Sequence, residues 1–334
     1  MRGQILNNKS YVSMREMLMD YMPGFHERAG RMGVPGIPMG HRGLDDLTGG
    51  FENGKVYVVG SRPCMGKEEF MLSMLLGIVL KSKLPALLFS TNHLKSDYIQ
   101  QLLAMHCDIP TLHLHKGYLE ECEWARLDKR LGTLLDAPLF VHDSLDLPLD
   151  TLLETAQNCI RENGIRIIFV DCLQMIDFGK EGGSPSERIA KVMYSLKQLA
   201  TLNDVPVVVG SMLGREIEYR EGFEGRRPQL TDLANSSYIE ELADIVMMVY
   251  RPEYYGIYQT ETGRDLRGLI EIIVRKNALK PLGSFFLDYH QETGIIESKS
   301  RFGSKPVRLK DLGKDNKAVN FLVETFGLEE ESPS

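Results

Sequence analysis

A chain of 334 residues with 43% hydrophobic and 25% charged residues holds enough apolar surface to fold without disulfides or metals. Five scattered cysteines (Cys64, Cys107, Cys122, Cys159, Cys172), none in a C-x-x-C pair, argue against a disulfide framework or a zinc module and fit a reducing cytoplasm. A net charge of −7 gives no bulk electrostatic case for nucleic acid, the opening residues lack a signal-peptide core, and the apolar stretch from Met71 to Leu80 falls short of the roughly 20 residues that span a bilayer, so no membrane association is expected.

In chain order, residues 12–22 carry apolar groups at helical spacing and are predicted to form a helix ending before Pro23-Gly24. The Gly/Pro-rich stretch 30–40 reads as a linker or entry loop, which sets residues 1–35 apart as a helix and an entry loop. From Gly43 the pattern alternates between strand and helix. Strands are predicted at 55–60, 86–90, 166–171, 205–210 and 245–250, with a helix from Lys67 to about Leu80. Near-continuous apolar strands separated by helices imply an α/β fold, a mostly parallel twisted sheet with helices on both faces. Residues 268–274 and 284–289 look like a terminal hairpin, and the main domain extends over 36–298. Residues 299–334 shift to Lys, Arg, Gly and Pro. They hold one short amphipathic piece at 318–326 and an acidic end, and read as a mobile tail.

The segment Gly60-Ser-Arg-Pro-Cys-Met-Gly66-Lys67-Glu68 follows a strand and opens a helix. Amides at a helix N-terminus face an anion, and a lysine there reaches the terminal phosphates of a nucleotide. The strict pattern G-x-x-x-x-G-K-[ST] fails twice, with Ser61 at its first glycine and Glu68 at its hydroxyl. By this motif alone a chance Gly-Lys pair reads as well as a phosphate loop. Asp171 ends a buried strand, where a carboxylate either holds Mg²⁺ through water or caps a loop.

The surroundings carry a resemblance to the bacterial replicative helicase (DnaB) family, in its C-terminal RecA-like motor domain. Ser-Arg-Pro-Cys-Met-Gly-Lys is similar to that family's Ala-Arg-Pro-Ser-Met-Gly-Lys-Thr loop. Gly36-Ile-Pro-Met-Gly resembles its Gly-(Val/Ile)-Pro-Thr-Gly segment, and Val170-Asp-Cys-Leu-Gln174-Met its Ile-Asp-Tyr-Leu-Gln-Leu strand. Arg227-Pro…Asp232-Leu…Ile239-Glu-Glu-Leu-Ala-Asp244 follows another family block in order and spacing. The likeness covers about residues 12–297 and does not include the family's N-terminal domain. It implies a RecA-like P-loop core that assembles as a ring, a hexamer in the family, for DNA replication. It also implies ATP and Mg²⁺ as cofactors and single-stranded DNA as a partner, with other replication proteins engaged through the tail. Arg62, Pro63, Gly66, Lys67 and Glu68 become the nucleotide-binding set. Asp171 becomes the Mg²⁺ carboxylate, and Gln174 and the retained Lys276 further catalytic candidates. Lys67 and Asp171 are expected at neighbouring strand ends.

Several positions depart from the family. Glu68 replaces the metal-binding hydroxyl, and Asn92 stands where Phe-Ser-Leu-Glu-Met has the water-activating glutamate. His93, next along a strand, is expected to point the other way. Lys276-Asn277-Ala278 keeps the lysine but loses the arginine finger of Lys-Gln-Arg, with Arg275 nearby as a substitute. Ser211-Met212 replaces Ser-Gln, which senses the γ-phosphate, and 232–237 loses the arginine and glycine of the DNA loop Asp-Leu-Arg-Glu-Ser-Gly. Arg215, Arg220, Arg226 and Arg227 in the adjoining loop read as solvated surface or as a residual DNA contact. The expectation is a ring-forming, nucleotide- and DNA-associated protein with weak or absent ATP hydrolysis. Its rivals are an active ATP-dependent DNA helicase with substituted catalytic groups and a RecA-like ATPase of another class.

Overall fold

The computed structural model describes residues 12–30, 34–177, 184–234, 237–260, 263–278 and 282–297. It divides into two units, one of Met1–Pro35 with Phe302–Ser334 and one of Gly36–Arg301. Within the first, helix α1 (Met14–Gly30) is longer than predicted and runs through Pro23. Its start is a capping box, in which Glu16 N–H donates to Ser13 Oγ at 3.2 Å and Ser13 N–H to Glu16 Oε2 at 2.7 Å. A proline removes one ladder bond from a helix interior, and here the helix continues past it. Met14, Met17, Leu18 and Tyr21 on α1 are exposed. The amphipathic piece at 318–326 lies outside the described residues.

The second unit is built on one nine-stranded sheet in the order β3-β2-β4-β5-β1-β6-β7-β8-β9. Strands β1 (Val56–Ser61), β2 (Ala86–Ser90), β3 (Leu139–Asp143), β4 (Ile167–Asp171), β5 (Val207–Met212) and β6 (Ile245–Tyr250) are all parallel. Strands β7 (Leu269–Asn277), β8 (Gly283–His290) and β9 (Ile295–Glu297) then add antiparallel to β6. The predicted hairpin is therefore the first part of a three-stranded extension. β1, β2, β4 and β6 are buried along their whole length. This is what Val/Ile/Leu runs covered on both faces produce.

Alternation along each strand divides its side chains between two cores. After α1 the helices run, in chain order, α2 (Arg42–Thr48), α3 (Lys67–Leu76), α4 (Lys95–Cys107), α5 (Thr111–Lys116), α6 (Glu121–Leu135), α7 (Leu149–Asn163) and α8 (Pro185–Asn203). Tyr57, Leu88 and Phe169 pack on one face with Phe70 and Leu75 of α3 and Tyr98 and Leu102 of α4. Val58, Phe89, Ile168 and Val209 pack on the other with Leu152 of α7 (Leu149–Asn163) and Val192 and Leu196 of α8 (Pro185–Asn203). The expected helix to about Leu80 is α-helical only to Leu76 and closes through a π turn, Gly77–Ser82. The strand predicted at 205–210 begins instead at Val207. Val205 N–H donates back to Ala200 O, closing α8, and Pro206 has no N–H for a ladder. Strand β3 was not predicted from the sequence. It is an edge strand, half-buried with an exposed Val141, and lacks the continuous apolar signature of its neighbours. Among the described residues no helix is long and apolar enough to cross a membrane.

Phe169 lies fully buried on β4, with its ring edge-on to Phe51 at 6.2 Å. Phe169→Ala removes this packing from the centre of one core and is expected to cost roughly 3–5 kcal/mol, read as a lower midpoint in urea unfolding.

Candidate functional site

The loop between β1 and α3 turns tightly, with Cys64 at φ 61° and Gly66 at φ 88°. The left-handed backbone angle favours glycine at 66, where a Cβ would also press on Ile270 Cδ1 at 2.8 Å. Ser61, the departure at the motif's first glycine, ends β1 in register with Met212 and carries no left-handed φ. Serine is therefore tolerated there without strain. Its hydroxyl donates to Arg62 O at 2.8 Å. Arg62 braces the loop from one side, with Nη1 donating to Leu213 O at 2.7 Å and Nε to Glu218 Oε1 at 2.8 Å. Arg251, at the end of β6, braces it from the other through Nη1 to Cys64 O at 3.4 Å. Pro63 is exposed between these anchors.

Lys67 and Asp171 meet at one end of the sheet, but not on neighbouring strands: β5 lies between β4 and β1. Lys67 reaches across β5, and its Nζ donates to Asp171 Oδ1 at 2.5 Å. Gly210 on β5 makes the crossing possible. A Cβ there would overlap Asp171 Oδ1 outright and stand 3.2 Å from Lys67 Nζ. The second carboxylate oxygen, Oδ2, accepts from Tyr98 OH at 3.2 Å. The Asp171 backbone is held too, because Thr91 N–H donates to its carbonyl at 2.8 Å and Thr91 Oγ1 accepts from Cys172 N–H at 2.7 Å. Burial pushes the Lys67 ammonium down, and the adjacent Asp171 charge outweighs it and holds the group above its ordinary value.

Beside this pair lies a second one. Glu68 Oε2 is 3.0 Å from His93 Nε2, and the Asn92 amide is 3.2 Å from the same nitrogen. The expected opposition of Asn92 and His93 does not occur. Strand β2 ends at Ser90, the following bend frees the chain from alternation, and the Ser90 hydroxyl bonds the His93 carbonyl. Burial raises the Glu68 carboxyl, but hydrogen bonding and charge from His93 overcome it and leave the group below the ordinary carboxylate range. The hydrogen bond to Glu68 lifts the imidazole of His93. Glu69 turns away and accepts from Tyr289 OH at 3.2 Å, its carboxyl pushed up by burial.

Gln174 joins the ends of β4 and β5: Nε2 donates to Ser211 Oγ and Oε1 accepts from Met212 N–H, both at 3.0 Å. Lys276 is not part of this cluster. Its Nζ donates to Glu240 O at 2.6 Å and Glu241 O at 3.0 Å, holding the end of the helix Ser237–Leu242. Arg275 Nε donates to Pro228 O at 2.7 Å. An open groove runs from Arg62 and Gln174 along 212–216 and 231–234. Of the four adjoining arginines, Arg220 pairs with Asp232, and Arg227 pairs with Glu271 and Glu224. Arg226 donates to Arg220 O and lies 4.6 Å over the Tyr255 ring, while Arg215 is exposed on the groove. Asn235 and Ser236 of the DNA-loop counterpart lie outside the described residues. Gly210, Tyr98 and Arg251 carry no motif signal, because each acts by space or by a contact distant in sequence.

The loop and Lys67 fit a phosphate: a glycine-hinged turn at a helix N-terminus with a lysine inside it. The metal position does not fit Mg²⁺, since the Glu68 carboxylate and its His93 partner stand where a small neutral hydroxyl is needed.

A mostly parallel sheet with this loop at the carboxyl ends of its strands defines a RecA-like core. The sequence profile of the DnaB-like helicase C terminal domain matches residues 36–298, and the chain belongs to that family. Replicative DNA helicase DnaC of Bacillus subtilis is 28% identical over 294 residues, covering 87% of this chain and 63% of the relative. Replicative DNA helicase DnaB of Treponema pallidum is 32% identical over 254 residues, covering 76% and 54%. The chain thus spans about three-fifths or less of these relatives' length. Among solved structures, a DnaB-like replicative helicase described with its interactions with primase aligns at TM-score 0.76 and 25% identity, over 85% of this chain and 68% of that one. The ATPase domain of G40P shares the fold, at TM-score 0.78 and 24% identity over 87% and 100%.

The Glu68–His93 pair gives a pH signature. The lowered Glu68 value stabilises the fold above the ordinary carboxylate value of 4.5, and this is lost as pH falls through the folded value. The raised His93 value stabilises it below the ordinary imidazole value of 6.5, and this is lost as pH rises through the folded value. The stability deficit of His93→Gln in urea unfolding is therefore expected to be larger at about pH 5.5 than at about pH 9. A deficit independent of pH refutes the pair.

Proposed function

We propose that this chain is a ring-forming member of the DnaB-like helicase family, replication-associated and cytoplasmic, that binds nucleotide weakly, associates with single-stranded DNA and hydrolyses ATP little or not at all. The observation that carries the reading is the internal pairing of the site's groups: Lys67 on Asp171 at 2.5 Å and Glu68 on His93 at 3.0 Å, with Asn92 in place of a base. General-base help contributes roughly 10²–10⁴ in rate and an arginine finger roughly 10³–10⁵, so losing both removes most of a motor's turnover. In this reading residues 36–298 are the motor-like core, 1–35 the linker that packs on the next subunit, and 299–334 a tail for replication partners. DNA association rests on the groove beside Arg215, and is weak because three neighbouring arginines are engaged within the fold.

One observation favours the rival, an active helicase with substituted groups: His93 faces the same space as Asn92 and offers a base. Steady-state ATP turnover with and without single-stranded DNA separates the two. We expect negligible turnover and no strand unwinding. Turnover on the order of 1 per second or faster establishes the rival instead. Glu68→Thr is expected to tighten Mg-nucleotide binding while barely moving hydrolysis. Adding Asn92→Glu and Ala278→Arg then raises turnover by more than the product of the single effects, since such groups act as a unit.

The exposed Met14, Met17, Leu18 and Tyr21 of α1 supply the apolar surface for assembly. Light scattering of the full chain at high concentration, with nucleotide, is expected to show multimers that deletion of residues 1–30 abolishes. A purely monomeric full chain overturns the assembly.

A further inference from the structure

We propose that Gly210 and Tyr98 are positioning residues that latch Asp171 onto Lys67, so that phosphate and Asp171 compete for the same ammonium and this competition sets nucleotide affinity. The inference deepens the reading above and rests on it.

Gly210 sits inside β5, where glycine weakens a strand and where its φ is not left-handed. The backbone therefore does not require it; the space does. Every other side chain would press on the Asp171 carboxylate and approach the Lys67 ammonium. Glycine at this point is what allows one carboxylate, reaching from β4, and one ammonium, reaching from beyond β1, to meet above β5.

Tyr98 acts on the opposite side of the carboxylate. It is buried on α4 at 2% exposure, with its ring edge-on to His93 at 5.8 Å and its hydroxyl donating to Asp171 Oδ2. Burial and the neighbouring carboxylates keep that hydroxyl protonated, hence a donor. With Oδ1 on Lys67 and Oδ2 on Tyr98, Asp171 has little capacity left for a metal-bound water. Lys67, at 8% exposure, has its charge already satisfied. Glu68, the remaining anion beside the loop, is held by His93. An arriving phosphate must displace a carboxylate pinned at both oxygens, and the apparent affinity falls by the fraction of molecules in which the latch is closed.

The experiment is calorimetric titration of the full chain and of Tyr98→Phe, Gly210→Ala and the double variant. The probes are ATP with and without Mg²⁺ and inorganic triphosphate, and folding is checked by thermal melting. Tyr98→Phe keeps the ring packing and removes only the donor to a charged acceptor. It is expected to tighten ATP and inorganic triphosphate roughly tenfold, because a carboxylate held at one oxygen instead of two is displaced from Lys67 more readily. Gly210→Ala pushes the carboxylate off Lys67 and is expected to tighten all three probes. Because both changes act on one carboxylate, the double variant gains less than the product of the singles.

A side chain that matters only for packing shifts the melting temperature without tightening ATP or triphosphate. Folded variants that bind no better than the unmodified chain overturn the latch, as does a set in which no protein binds any probe. If Gly210→Ala fails to fold, Tyr98→Phe decides alone. Tight, rapidly hydrolysed ATP in the unmodified chain defeats the reading of the whole protein. Weak binding there with no gain in the variants defeats only the latch.

Discussion

The ion pair between Lys67 and Asp171 ties together the structure of this site, and it exists because a parallel sheet delivers its strand ends to one edge. Lys67 follows β1, Asn92 and His93 follow β2, Asp171 closes β4, and Ser211 lies in β5. No two of these stretches are near in sequence, so only the common direction of the strands gathers them. The crossing over β5 then imposes a condition on a strand that carries none of the charges. Position 210 must be nearly empty. A requirement that looks local to two side chains is thus distributed over β1, β4 and β5.

The site's polar groups close on one another in pairs, Lys67 with Asp171 and Glu68 with His93, the second an ion pair when the imidazole is protonated. Glu68 introduces an anion beside a phosphate loop, which in an effectively low dielectric repels a nucleotide strongly unless compensated. His93 supplies the compensation from the bend after β2, and Asn92, lacking a charge, does not disturb it. The substitution at 68 and the residues at 92 and 93 make sense together. A free acidic base at 92 would have placed a second anion against Glu68.

Much of the architecture was legible because burial on both faces writes itself as unbroken apolar runs. Ala86–Ser90 and Ile245–Tyr250 have the ends that their composition predicts. Misreadings occurred where another group overruled pattern. Val205 belongs to the end of α8 rather than to β5, Pro23 does not end α1, and β3, half exposed at an edge, carries no run to read. In the candidate site, the loop residues and Asp171 are legible as candidates because the order of their stretches is itself the signal. Lys67 and Asp171 meet, but not from the neighbouring strands expected, because strand order is not written in any local stretch. His93 was turned the wrong way by applying strand alternation one residue past the end of the strand. Gly210 and Tyr98 were invisible, since the first contributes by having no side chain and the second through a hydrogen bond spanning the sequence from 98 to 171.

In the reading proposed above, this motor-like site falls silent both by losing groups and by having others satisfied within the fold. On that reading Asn92 and Ala278 stand at the base and finger positions and are the losses. Lys67 and Asp171 remain, but each finds its partner in the other. Buried charges left unpaired are costly, so an idle site that keeps both members of a pair gains by closing them on one another. The arginines beside the groove follow the same rule: Arg220 and Arg227 are taken up by Asp232, Glu224 and Glu271. Where the fold supplies its own counter-ions at the places a ligand would otherwise neutralise, the charge that remains in the sequence ceases to be charge available for binding. A motif reading counts such residues as retained; the geometry counts them as spent.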